Sequence, residues 1–179
     1  MKRERCAVFS TSLGWVAAAW TGRGLSALTF GHPSPREALR RLPEVFWESG
    51  APDPDSTAAD PLIDRLCAYA DGHPDDFRDV RVDLCKATEF QRRVLQGCRR
   101  IPYGRTISYA QLAARAGSPR AARAVGNTMA KNRIPLIIPC HRVVGSGDSL
   151  GGYSAPDGLQ MKRRLLDLEG VREPSTVPA

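Results

Sequence analysis

Cys140-His141-Arg142 places a nucleophile, a base and a cation in three consecutive residues. A thiolate is a strong nucleophile, but a free cysteine with a pKa near ~8.5 needs a base or positive surroundings to ionise at neutral pH. His141 and Arg142 could supply either. The apolar run Ile134-Pro135-Leu136-Ile137-Ile138, followed by Pro139, reads as a short buried segment that delivers the thiol to a defined place. The alternative is a cysteine packed as a small hydrophobe, the commoner fate of that residue. The dipeptide alone does not choose between them.

Cys6, Cys67, Cys85, Cys98 and Cys140 are an odd number without a CxxC pair, so neither a disulfide framework nor a zinc ribbon is expected and at least one thiol should be free. No metal and no cofactor are expected; Cys6 with His32 and His73 is a weak alternative metal set. Asp75 and Asp76 form a carboxylate pair that an exposed loop explains better than catalysis does. No run approaches the ~18 apolar residues of a membrane helix, and the charged start leads into no secretory apolar core, so a cytoplasmic protein without a membrane partner is expected. A chain of 179 residues, 42% hydrophobic and 25% charged, suits a globular protein of one large domain or two small ones. Its net charge of +7 is unevenly spread. Residues 1–85 carry 10 Lys and Arg against 13 Asp and Glu, net −3, whereas residues 86–179 carry 16 against 6, net +10. The second half has the electrostatic footprint of a polyanion binder.

Several elements must position the thiol. Short strands are predicted at residues 6–10, 15–20 and 25–30, separated by Ser12-Leu13-Gly14 and Thr21-Gly22-Arg23-Gly24, which gives an antiparallel meander. Apolar spacing predicts helices over residues 33–45 and 61–69, with a Pro-, Asp- and Gly-rich loop at 49–60 between them and a further strand at 80–84. The expected fold class is α+β in two domains. Residues 1–85 form a small antiparallel sheet with helices, residues 86–172 a mainly α-helical domain, and residues 173–179 a disordered tail.

Thr88-Glu89-Phe90-Gln91 and Ser108-Tyr109-Ala110-Gln111 both have capping-box spacing. They should open helices running to about Arg100 and to near Gly117, the first with Phe90, Val94, Leu95 and Cys98 on its core face. Ser118 followed by Pro119 offers an N-cap with proline at the first helical position, and this third helix should run to about Lys131. Two short helices joined by a tight glycine-containing turn in a basic region make a helix-turn-helix candidate. On the third helix Arg120, Arg123, Ala124, Asn127 and Lys131 share a face with the small residues Ala121, Ala122 and Gly126 beside them. Small residues let a backbone approach another surface closely, either the protein's own core or a nucleic-acid groove. The interspersed basic residues favour the groove.

From Phe90 to Gly170 the sequence resembles the C-terminal domain of the O6-alkylguanine-DNA alkyltransferases. The resemblance rests on Thr106-Ile107-Ser108-Tyr109, Ala121-Ala122-Arg123-Ala124-Val125-Gly126, Ile138-Pro139-Cys140-His141-Arg142-Val143-Val144, Gly152-Tyr153-Ser154 and Leu165-Leu166-Asp167-Leu168-Glu169-Gly170. It implies a DNA repair protein, with a ribonuclease H-like first domain, that flips O6-alkylguanine out of double-stranded DNA. The alkyl group passes irreversibly to the protein's own cysteine, one turnover per molecule. By resemblance Cys140 is the acceptor, His141 deprotonates it through a water, Glu169 orients His141, and Asn132 is a hinge residue of the active site. Successive residues on an extended backbone point opposite ways, so Cys140 and His141 need not touch. The resemblance also has Arg123 filling the vacated base stack and Tyr109 turning the target phosphate. Ala122, Gly126, Arg120 and Asn127 complete the DNA-binding face, which sits in the minor groove. Met129, Pro135, Val143, Tyr153 and Ser154 line the base pocket.

A monomer acting in the bacterial cytosol or nucleoid is implied. Two departures stand out. Residues 155–159 are longer and less glycine-rich than the family's pair of glycines, and Lys2, Thr21 and Ser26 stand where some relatives bind zinc. The other readings are a non-catalytic alkyltransferase-like damage sensor, against which Cys140 argues, and a helix-turn-helix transcriptional regulator, whose major-groove readers and dimerisation device are lacking.

Overall fold

Three strands rich in small and β-branched residues begin the chain of the computed structural model, which describes residues 5–46, 60–147 and 149–171. Residues 49–59 of the expected loop and the 173–179 tail lie outside the described residues. The chain divides between Asp83 and Leu84 into two units.

In the first unit β1 (Arg5–Thr11), β2 (Gly14–Thr21) and β3 (Gly24–His32) form an antiparallel sheet in the order β1-β2-β3. Both faces are covered. Cys6, Ala17, Ala19 and Ala27 pack with Ala38 of α1 (Pro35–Arg40), Leu42 and Phe46, while Ala7, Phe9, Val16, Ala18 and Leu28 alternate onto the opposite face. The helix expected over residues 33–45 stops at Arg40 and resumes only as a short 3₁₀ turn at Glu44–Phe46. Pro43 lies three residues on, and a proline cannot supply the backbone N–H that continuation needs. α2 (Pro61–Ala70) is capped by Asp60, whose carboxylate accepts from the Leu62 N–H at 2.9 Å, and packs against β1.

The strand expected at residues 80–84 is reduced to a single parallel bridge between Leu25 and Val82. Leu25 N–H donates to Arg81 O at 2.9 Å and Asp83 N–H to Leu25 O at 2.7 Å, after which the chain turns, with Ala87 N–H donating to Leu84 O. Asp75 is half-buried and paired with Arg65, its two oxygens 2.7 and 2.9 Å from the guanidinium, which makes it structural. Among the described residues no group of three His, Cys, Asp or Glu is placed to hold a metal ion. The Cys6 thiol donates instead to Phe46 O, and His73 Nδ1 lies 3.1 Å from Ala68 O.

The second unit is built on α3 (Glu89–Arg99), α4 (Tyr109–Arg115) and α5 (Ala122–Ala130), which pack on one another through Val94, Leu95, Cys98, Leu112, Ala113, Val125 and Met129. Both capping boxes close reciprocally: Gln91 and Gln111 reach back to the Thr88 and Ser108 N–H at 2.9 and 2.7 Å. Phe90 is only half-buried.

The third capping expectation fails for a definite reason. Ser118 N–H donates to Ala113 O and Gly117 N–H to Ala114 O, both at 2.9 Å, with Gly117 at φ +73°. This is a Schellman closure of α4, so Ser118 ends one helix and does not start the next. Pro119 then occupies a turn closed by Ala121 N–H on Ser118 O, and α5 begins at Ala122 without a side-chain cap. Arg120 therefore lies in the turn, outside the helix. α6 (Gly158–Leu168) completes the unit. No helix among the described residues is long and apolar enough to cross a membrane.

Candidate active site

Residues 134–144 are held between α5 and α6, and almost every one is buried. Their backbone is delivered by two three-residue turns. Ile137 N–H donates to Pro135 O at 2.9 Å around Leu136, a non-glycine residue at φ +69°, and Cys140 N–H donates to Ile138 O at 2.8 Å around Pro139 at φ −77°, ψ 68°. The second is an inverse γ-turn that suits proline, and the first is the strained kind, with positive φ. Asn132 staples both: its Nδ2 donates to Ile138 O at 2.8 Å while its Oδ1 accepts from Ile134 N–H at 3.0 Å.

Cys140–Arg142 then forms one 3₁₀ turn, and the extended backbone expected there is absent. Arg142 N–H closes that turn on Pro139 O. At three residues per turn the Cys140 and His141 side chains diverge by about 120°, so they face different neighbours even though the backbone is not extended. Val143 and Val144 continue as β5, which pairs in parallel with β4 (Ile107–Ser108). Since Ser108 caps α4, this two-residue ladder fixes the Tyr109 end of α4 beside the cysteine turn.

Cys140 is 7% exposed and lies at the wall of a cavity of about 340 Å³. Tyr109 of α4 and Gly126, Met129 and Ala130 of α5 form one side; Gly152, Tyr153 and Ser154 form the other. Ser154 Oγ donates to Ala130 O at 2.8 Å, tying the two sides together. Of the residues expected to line this pocket, Met129, Tyr153 and Ser154 do so, whereas Pro135 and Val143 do not; Val143 is fully buried beneath it. Burial pushes the Cys140 thiol up, opposed by hydrogen bonds from Asn132 and Tyr153 and by the positive charge of Lys162.

His141 turns away from the cavity into the core. Its Nε2 lies 2.9 Å from Glu169 Oε1, and neither side chain is exposed. Glu169 caps the C-terminal end of α6, and its other partners had no signal of their own: Arg142 reaches both carboxylate oxygens at 2.8–3.1 Å, and Gly104 N–H donates to Oε2 at 3.0 Å. Arg142 also donates to Ile101 O at 2.7 Å. Its charge thus belongs to Glu169. Burial alone would raise the Glu169 carboxyl, but the His141 and Arg142 hydrogen bonds hold it well below the usual carboxylate range. Burial lowers His141 despite its carboxylate partner, so the imidazole is neutral at pH 7. With Nε2–H donated to Glu169, the basic lone pair is on Nδ1.

Lys162 of α6 was not foreseen. It is fully buried, with Nζ donating to Val143 O at 2.6 Å, Leu150 O at 2.5 Å and Gly152 O at 3.3 Å. The signal was its place on a stripe with Leu165, Leu166 and Glu169, a charged residue on the apolar face of a helix. Arg123 and Asn127 are exposed on α5, with Ala122 and Gly126 half-buried beside them. Tyr109 packs on Gly126 and Gly151, and its hydroxyl is 3.5 Å from Gly152 O.

A two-unit α+β chain with a wall-lining thiol, an adjacent buried His-Glu pair and an exposed arginine on the helix beside them has the layout of a thiol group-transfer protein. Residues 89–171 match the family model of the 6-O-methylguanine DNA methyltransferase DNA binding domain. A methylated-DNA–protein-cysteine methyltransferase of Mycobacterium bovis is 42% identical over 146 residues, which span 81% of this chain and 86% of that one. The crystal structure of Mycobacterium tuberculosis O6-methylguanine methyltransferase covers 99% of this chain and 96% of its own at 34% identity, with a TM-score of 0.73. A crystal structure of Mycobacterium tuberculosis OGT in complex with DNA covers 95% of each chain at 34% identity and a TM-score of 0.70. The chain belongs to the methylated-DNA–protein-cysteine methyltransferase family.

Proposed function

We propose that this protein repairs O6-methylguanine in DNA by moving the methyl group to Cys140. The observation that carries the reading is the pairing of a cavity-wall thiol with a neutral, carboxylate-held histidine in the next residue. The Cys140 proton passes to His141 through a bridging water, and Glu169 steadies the imidazolium that forms. The thiolate sulfur attacks the alkyl carbon; the S–C bond forms as the C–O6 bond breaks, and its electron pair remains on guanine. A thioether is a poor leaving group and among the described residues no second thiol lines the cavity, so each molecule acts once.

α4 and α5 act as a helix-turn-helix whose second helix enters the minor groove. Its small residues, Ala122 and Gly126, suit that narrow space. A stacked base cannot reach Cys140, so the nucleotide is flipped out, at a cost of a few kcal/mol. The exposed Arg123 takes its place in the stack, and Tyr109 guides the phosphate and contacts the base. Arg120, in the turn, and Asn127 hold the adjoining backbone. Asn132 keeps the acceptor turn in place. The first unit, a meander with a helix packed on it, carries the antiparallel half of a ribonuclease H-like layout. We place the protein, as a monomer, with DNA in a bacterial cytosol.

The test is direct. After incubation with a duplex containing O6-methylguanine, digestion and mass spectrometry should show one added methyl group on the peptide holding Cys140. A methyl group on another cysteine, or none, refutes the assignment.

A further inference from the structure

Four ionisable side chains of the second unit's described residues are buried besides its thiols: His141, Arg142, Lys162 and Glu169. His141 is neutral, and Arg142 and Glu169 cancel as a directly bonded pair. One positive charge remains, on Lys162. Burying an ammonium costs several kcal/mol unless something compensates it, and its hydrogen-bond partners are three neutral carbonyls. An ammonium has three N–H donors, and three carbonyls engage them. Lys162 is therefore committed as a hydrogen-bond donor and acts on its surroundings through its charge.

The surroundings locate the charge behind the cavity wall. Nζ lies 5.8 Å from the ring centroid of Tyr109 and 6.0 Å from that of Tyr153, the two aromatic residues that line the cavity together with Cys140. The carbonyls it holds belong to Val143, three residues after the thiol, and to the Leu150–Gly152 segment that leads into Tyr153. The titratable and charged groups around it are Cys140 and Arg142 on the acceptor turn, Cys98 on α3, Tyr109 on α4, Tyr153 on the closing segment, and the neutral His141.

We infer that Lys162 is a positioning residue that serves as the buried counter-cation of the Cys140 thiolate, in a pair that loses its anion when the thiol is alkylated. This rests on Cys140 being the alkyl acceptor. While Cys140 is a thiolate, the buried charges of the site sum to zero. When the sulfur becomes a neutral thioether, Lys162 is left without an anion. Its proton affinity then drops, and the first contact to weaken is the 3.3 Å bond to Gly152 O on the closing segment. Burial lowers Lys162 to about 8 against the upward push of the Cys140 and Cys98 charges; reciprocally, the Lys162 charge pulls Cys140 down. Coupled groups of this kind titrate as a pair, and the coupling is equal in both directions.

Two measurements test it without DNA. The first is the rate of Cys140 carboxamidomethylation by iodoacetamide against pH, read on the Cys140 peptide, in the wild-type protein and in Lys162→Met. Only the thiolate reacts, so the midpoint of the profile should move at least one unit to alkaline pH, a tenfold slower reaction at pH 7. A profile lowered equally at every pH with an unmoved midpoint indicates a purely structural lysine and overturns the proposal. The second covers the case in which the variant does not fold. Selective labelling of Lys162 and NMR titration of its Nζ should give a lower midpoint, by the same shift, in Cys140→Ser and in protein whose Cys140 has been S-methylated than in the free wild-type protein. Coincident midpoints overturn it. Neither readout depends on alkylated DNA, so a failure of methyl transfer from DNA would count against the proposed function and leave this pairing to be judged separately.

Discussion

Glu169→Gln isolates the charge that holds the buried polar cluster together. Glutamine keeps the volume and an acceptor oxygen for Gly104 N–H, but it leaves Arg142, 1% exposed, without an anion. Removing one partner of a buried ion pair costs about 3–5 kcal/mol. For a chain of this length each kcal/mol lowers Tm by about 2–4 °C, so the midpoint should fall by roughly 6–20 °C in calorimetry or thermal circular dichroism. The double variant Arg142→Met with Glu169→Gln should recover at least half of that loss, because the lone cation is gone. The pH profile gives an independent check. The Glu169 carboxyl is depressed in the folded state, so its contribution is complete above the unfolded value of ~4.3 and is lost as pH falls through the folded one. The wild-type midpoint should therefore drop more steeply below about pH 4 than that of Glu169→Gln, the two converging in acid. A single-variant loss under about 2 °C, or a double variant no better than the single, refutes the ion-pair account.

Arg123→Ala should slow transfer from duplex DNA at least tenfold while leaving the reaction with free O6-methylguanine base nearly unchanged; equal losses on both substrates would count against a role in base extrusion. Gly151→Ala puts a Cβ 2.6 Å from Tyr109 Cε2 at a φ of +70°. It should lower stability by about 1–2 kcal/mol and displace the tyrosine, reducing the transfer rate. An unaltered rate would show that the tyrosine position does not matter.

Local rules carried most of the reading where one residue has one task. Thr88 and Ser108 each face a single helix N-terminus, so the capping boxes were legible and placed the starts of α3 and α4 to within a residue. Ser118 has two candidate tasks, closing α4 or opening α5, and spacing cannot rank them; the Schellman bonds, available only once Gly117 takes positive φ, decided it. Residues 80–84 alternate like a strand, but pairing needs an edge, and among the described residues they bridge only to Leu25. Within the site, the resemblance put Met129, Tyr153 and Ser154 in the pocket of Cys140 and the geometry brings them together, whereas Pro135 and Val143 lie off it and Tyr109, expected on the DNA, lines it. Arg142 and Lys162 were not assigned their places. Their partners, Glu169 and the carbonyls of Val143, Leu150 and Gly152, are brought to them only by packing of α6. A backbone carbonyl leaves no trace in residue type.

The carboxylate that holds His141 comes from the C-terminal end of α6, 28 residues after the histidine. A ribosome therefore releases Cys140 well before it releases the carboxylate that holds His141. During synthesis Cys140 emerges as an ordinary protonated cysteine with no greater appetite for electrophiles than its neighbours. On the proposed function the thiol gains its base only when α6 docks, so an acceptor used once is not spent before that helix is in place.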